Sequence, residues 1–175
     1  MPIDESRAFV PLSLSILTIS DTRTAETDLS GDLLAERARL AGHRVVDRAI
    51  VPDDREAIVA AFQERIARAG IDCIVSTGGT GITGRDVTPE AVEAVADKMI
   101  PGFGELFRWL SFQAIGTSTI QSRACACVAG GTLIFALPGS PGGVRDGWDG
   151  ILASQLDSRH RPCNFVELVP RLMEC

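Results

Sequence analysis

The 175-residue chain has little of what several large function classes require. Aromatic residues make up 5% of it, so aliphatic and Ala side chains must fill the interior. Positive charge is short: 17 Lys and Arg against 23 Asp and Glu leave a net charge of -6. No basic stripe can then follow a phosphate backbone, which argues against nucleic acid as the partner. Long apolar runs are missing, since stretches such as 133–138 fall far short of the roughly 20 residues that a spanning helix needs. The first residues carry Asp4, Glu5 and Arg7 rather than a basic start and an apolar run, so the expectation is a cytoplasmic protein without membrane contact. Five cysteines form neither a short disulfide framework nor a C-x-x-C pair, which predicts free thiols. Cys125 and Cys127 fall on one face of a strand and are expected to pack as small hydrophobes. There is no Gly-x-Ser-x-Gly elbow, and His43 and His160 stand alone in hydrophilic surroundings, so neither receives a role. Any anionic ligand must be held by local groups.

What remains is an ordinary globular composition, 45% hydrophobic and 23% charged, of a length suited to a single domain over 1–175. Apolar runs at 12–19, 45–51 and 71–76 read as strands. Helical spacing follows at 29–41, with Gly42 as its cap, and again from Pro52-Asp53-Asp54-Arg55-Glu56 to Gly70. Thr88-Pro89-Glu90 opens a third helix, with Thr88 as its cap. Beyond a break at 101–104, a fourth helix is expected to turn Leu106, Trp109, Leu110 and Phe112 inward. Strands at 124–129 and 132–137 flank a tight Gly130-Gly131 turn, and a last helix runs to about Leu156 before an irregular tail. This alternation predicts an α/β three-layer sandwich, a mostly parallel mixed sheet flanked by helices. Ligands of such sheets lie beyond the carboxyl ends of the strands. Ser20-Asp21, Pro52-Asp53, residues 77–81 and residues 138–140 follow strands, and three of these segments, those after parallel-type strands, should share one rim.

Thr77-Gly78-Gly79-Thr80-Gly81 offers amides and hydroxyls at a strand end, suited to phosphate oxygens, although a flexible turn would look the same. Gly79, Gly81 and Gly84 have dinucleotide-fingerprint spacing, but the helix waits until Thr88. Walker-like spacing also fails, because Arg85-Asp86 stands where Lys and Ser or Thr are required. Asp86 has no evident structural task, and a carboxylate beside phosphates points to Mg²⁺ between them. Asp53 with Glu56 makes a capping box, so its role stays open on these grounds. Arg85 and Arg123 could contact an anion or sit in surface ion pairs.

Taken together these segments resemble the MoaB/MogA family of molybdenum cofactor biosynthesis proteins, on the MoaB side. The resemblance rests on Ser20-Asp21, the 77–81 loop, Asp86-Val87-Thr88-Pro89-Glu90-Ala91, Pro101-Gly102-Phe103-Gly104-Glu105, Gln121-Ser122-Arg123-Ala124, Leu137-Pro138-Gly139-Ser140 and Arg161-Pro162-Cys163-Asn164-Phe165. It implies binding of molybdopterin and its adenylylation with Mg-ATP, releasing pyrophosphate; the alternative within the family is a non-catalytic molybdopterin carrier. It implies Asp53 and Asp86 as catalytic and Mg²⁺-holding carboxylates. Ser20, Asp21, Thr77, Gly78, Gly79, Thr80, Gly81, Ser122, Arg123, Pro138, Gly139 and Ser140 match its substrate site. It further implies a homo-oligomer, a hexamer in the MoaB branch rather than a trimer. Cys127 departs from the pattern, standing where glycine is common.

Overall fold

The computed structural model describes residues 3–174. Strand β1 (Ser13–Ile19) is buried along its whole length, which suits a central position, and it lies between two parallel neighbours. These are β2 (Arg44–Val51), whose burial alternates at first as an edge strand's does, and the fully buried β3 (Cys73–Thr77). Beside β3 runs β6 (Thr132–Leu137), also parallel and fully buried. The order β2-β1-β3-β6 then continues into β5 (Cys125–Ala129) and β4 (Lys98–Met99), each antiparallel to its neighbour. Gly130 and Gly131 join β5 to β6 with φ of 55° and 81°, the conformation that a tight hairpin demands of both central residues.

Helices α1 (Leu29–Leu40), α4 (Pro101–Ile115) and α5 (Pro141–Gly147) cover one face of the sheet, and α2 (Arg55–Ala67) and α3 (Thr88–Val95) the other. Alternate residues of β1 serve the two layers. Leu14 and Ile16 join Leu34, Phe103, Phe107, Phe135 and Trp148, while Leu17 and Ile19 join Ile58, Phe62, Ile74 and Val92. Each such side chain contributes about 1.5–3 kcal/mol by leaving water. The expected three-layer α/β architecture is what forms. No helix among the described residues is long and apolar enough to cross a membrane. Cys73, Cys125, Cys127 and Cys163 are free thiols, and Cys127 is wholly buried in the sheet.

Four details differ from the sequence reading. Helix α4 begins at Pro101 and turns Phe103, Gly104, Phe107 and Ser111 inward, leaving Leu106, Trp109 and Phe112 exposed. Its seat is set by Gly104: a Cβ there would stand 2.4 Å from the Ala124 carbonyl, so only a residue without one lets the helix approach β5. Asp54, not Asp53, caps α2, accepting from the Ala57 amide at 2.9 Å. Thr88 is not a cap but the first helical residue of α3, and its hydroxyl donates to the Gly78 carbonyl at 2.9 Å. His43 and His160 are buried; the Leu12 amide donates to His43 Nδ1 at 3.2 Å, with the rings of Phe9 and Trp148 alongside.

Candidate functional site

Because β6 is parallel to β3, four strand ends share one rim, and their loops wall a cavity of about 630 Å³. Ser20, Asp53, residues 77–81, Asp86, Ser122 and residues 138–140 all line it. Of the residues expected at the site, Asp21 and Arg123 stand just behind the wall.

The glycine loop is shaped by its carbonyls. Gly78 has φ +110°, and a Cβ there would meet the Ile19 carbonyl at 2.1 Å; Gly79 has φ +64° and would drive a Cβ into Thr88 Oγ1 at 2.4 Å. Any side chain at either position would therefore push apart β1 or α3. The carbonyls of Gly78 and Gly79 accept from the Thr88 hydroxyl and amide at 2.9 and 3.0 Å. In a trans peptide the N–H points opposite to the C=O, so the amides of Gly79 and Thr80 face away from α3, on the cavity side. Such paired, inward-facing amides suit an anion.

The two carboxylates are held differently. Asp53, freed from capping by Asp54, clasps Asp21: the Asp21 amide donates to Asp53 Oδ2 at 3.0 Å, and the Asp53 amide to Asp21 Oδ1 at 3.1 Å. Burial pushes the Asp53 carboxyl above its ordinary range, and the nearby charges of Asp21 and Asp86 add to that. Asp21 itself is held low, chiefly by its hydrogen-bonded ion pair with Arg85. Asp86 accepts from the Thr83 amide and hydroxyl at 2.9 and 2.6 Å, a structural task the sequence did not suggest. Burial pushes Asp86 upward, but the Thr83 and Gly81 hydrogen bonds outweigh it and hold the carboxyl below its usual value. Two acids on one cavity, shifted in opposite directions, are equipped for different work.

Arg123 braces this loop. Its Nε donates to the Gly81 carbonyl at 2.6 Å, a terminal nitrogen donates to the Asp86 carbonyl at 2.5 Å, and the remaining edge pairs with Glu90. With its donors engaged so, it lines a neighbouring cavity of about 530 Å³ with Arg108 and Cys125 instead of the main one. Arg85 likewise spends its charge on Asp21. Arg23, which sequence reasoning passed over, does reach the main cavity, as do Gln121 and Asp146. No motif marks Arg23 or Asp146, and Gln121, though part of the Gln121-Ser122-Arg123-Ala124 segment, was not expected at the site; their places after β1, on α5 and after α4 bring them in.

The chain resembles known proteins along most of its length. Residues 15–158 match the family described as "Probable molybdopterin binding domain". Over 160 residues it is 51% identical to molybdenum cofactor biosynthesis protein B of Escherichia coli K12, covering 91% of this chain and 94% of that one. The protein of the same name from Bacillus cereus is 47% identical over 148 residues, covering 83% and 88%. Among solved structures, a molybdenum cofactor biosynthesis protein B superposes with a TM-score of 0.87 at 41% identity, covering 97% of this chain and 100% of the other. The tungsten cofactor synthesizing protein MoaB from Pyrococcus furiosus gives 0.72 at 35% identity, covering 82% and 92%.

Proposed function

The chain belongs to the molybdopterin-binding family of molybdenum cofactor biosynthesis proteins, and from that premise we propose that it binds molybdopterin and joins it to AMP from Mg-ATP. The observation that carries the proposal is the meeting of the glycine loop, Asp53 and Asp86 on one cavity. In the reaction a terminal phosphate oxygen of molybdopterin forms a bond to the α-phosphorus of ATP. The bond from that phosphorus to the β-phosphate bridging oxygen breaks, and pyrophosphate leaves. Both reactants are anions, so the protein's task is to hold them together against their repulsion.

The Gly79 and Thr80 amides and Arg23 supply local positive potential for phosphate oxygens, and Ser20, Ser122 and Ser140 supply hydroxyls on the same wall. Asp53 and Asp86 would hold Mg²⁺. No group of three or more acidic, His or Cys ligands occurs among the described residues, so such an ion would complete its shell with phosphate oxygens and water, as Mg²⁺ prefers. When bound, it would screen phosphate charge and orient the two reactants. Asp53, close to the glycine loop and raised in pKa by burial, is the carboxylate that gains most from a cation.

Mixing the protein with ATP, Mg²⁺ and molybdopterin should release pyrophosphate in step with AMP transfer. Tight molybdopterin binding with no pyrophosphate would instead favour the carrier reading, which the engagement of Asp86 by Thr83 also supports. We further propose a homo-oligomer, with a hexamer favoured over a trimer by the likeness to MoaB. Its support in the fold is the exposed apolar stripe of Leu106, Trp109 and Phe112 along α4.

A further inference from the structure

The part of the cavity lined by α4 and α5 has a different chemistry from the glycine loop. There Ala114 and Ile115 of α4 present apolar surface, backed by the buried Phe107, near the single carboxylate that these two helices bring to the cavity, Asp146. Asp146 is half-buried, and among the described residues no Lys or Arg forms an ion pair with it. Its Oδ2 accepts from the Ser111 hydroxyl at 2.6 Å, and Ser111 is itself buried at 3% exposure. A carboxylate fixed by one neutral donor and without an ion-pair partner keeps lone pairs free on both oxygens for further donors. Unlike Asp53 and Asp86, which have the glycine-loop amides beside them and for which Mg²⁺ is proposed, Asp146 would meet a phosphate with no cation between, so the phosphates are assigned to the glycine loop. What it can accept is a pair of neutral N–H groups at the edge of a flat ring, one to each oxygen, with the apolar neighbours against the ring.

Of the two reactants, only one carries such an edge. A 2-amino-4-oxopyrimidine presents an N–H and an NH₂ side by side, and adenine presents an NH₂ next to a ring acceptor that a carboxylate repels. We infer that Asp146, positioned by Ser111, is the residue that reads the 2-amino-4-oxo edge of the pterin, which orients molybdopterin with its ring against α4 and α5 and its phosphate toward the glycine loop. The inference rests on the molybdopterin reading above. It makes Asp146 a specificity residue, distinct from the carboxylates at the phosphate end.

The test uses 6-hydroxymethylpterin phosphate and its lumazine counterpart, in which an oxo group replaces the 2-amino group, titrated calorimetrically into the full chain. The wild-type protein should bind the pterin at least 10-fold more tightly than the lumazine. Asp146→Asn should weaken pterin binding about 10- to 100-fold, the loss expected for hydrogen bonds to a charged group, and abolish that preference. Asp146→Glu should keep the preference, and ATP affinity should be unmoved in both variants, as it would not be if the fold had suffered. Equal binding of the two ligands by the wild-type protein, which requires no variant, would overturn the assignment, as would an unchanged preference in Asp146→Asn. Failure of the wild-type protein to bind either ligand would sink the molybdopterin reading, and this assignment with it.

Discussion

Arg123 offers the sharpest test of how the loop is held. Replacing it with Ala removes donors to the Gly81 and Asp86 carbonyls and the ion pair with Glu90. The side chains of Arg123 and Glu90 are 34% and 44% exposed, so the ion pair is screened and contributes no more than about 1 kcal/mol. The two bonds to carbonyls, charge-assisted but partly wetted, contribute about 1 kcal/mol each. A loss of about 2–3 kcal/mol follows, or a midpoint shift of about 1 M in urea unfolding for a typical slope. Activity should fall further than stability does, because the Asp86 carbonyl is one of the anchors and its carboxylate drifts when the anchor goes. Arg123→Lys should recover only part of either, since an ammonium cannot span three acceptors in one plane. If Arg123→Ala unfolded within about 0.3 kcal/mol of the wild-type protein and released pyrophosphate at the same rate, the bracing argument would be wrong.

The two carboxylates should part company under amidation. Asp86→Asn keeps a partner for Thr83 and so should keep the fold and molybdopterin binding while AMP transfer, followed with radiolabelled ATP, drops about 100-fold, as when a group that stabilises developing charge is lost. Asp53→Asn should also abolish turnover yet raise the melting temperature at neutral pH, because burial disfavours the charged form; the gain should shrink as pH falls through the raised pKa of Asp53, where the wild-type residue takes up its own proton. For His43 the sign is reversed in kind. Burial lowers its pKa below 6.5 and its Nδ1 must stay an acceptor for Leu12, so stability is intact above about pH 6.5 and declines as pH falls from there toward the folded value. His43→Asn, whose Oδ1 can take the place of Nδ1, should flatten that slope in urea titrations between pH 7 and 5. Trp109→Glu should dissociate the assembly in light scattering while leaving circular dichroism unchanged, since the residue is 63% exposed in the single chain.

The sheet and its rim were legible because buried strands announce themselves as short aliphatic runs closed by Ser, Thr, Gly or Pro, as at Ile19-Ser20 and Thr77-Gly78. Asp53 follows the end of β2 and could be placed with them, whereas Asp86, nine residues beyond β3, owed its assignment to its place after the glycine loop and to the family resemblance. The buried face of α4 was not legible, because that helix is apolar nearly all round and hydrophobicity alone does not say which side meets the sheet; Gly104, small enough to touch Ala124, decides it. Asp53 and Asp54 are adjacent and chemically identical, so which one caps α2 depends on where the helix begins, and that is set by tertiary packing. The bracing role of Arg123, which was expected at the site as a ligand contact, and the place of Asp146 were beyond reach for a further reason. Their partners, Gly81 and Ser111, are separated from them by 42 and 35 positions, and no local pattern encodes such contacts.

The flanks of the sheet carry a consequence for how copies can meet. One margin is β2, with Arg44, Asp47 and Arg48 along it, and the other is β4, which is two residues long and begins with Lys98. Charge on one side and brevity on the other discourage a second molecule from adding its strands to these, the route by which open sheets grow into fibres. The homo-oligomer proposed above would thereby be diverted to side-chain surfaces such as the outer face of α4, where contacts can close into a finite ring and stop.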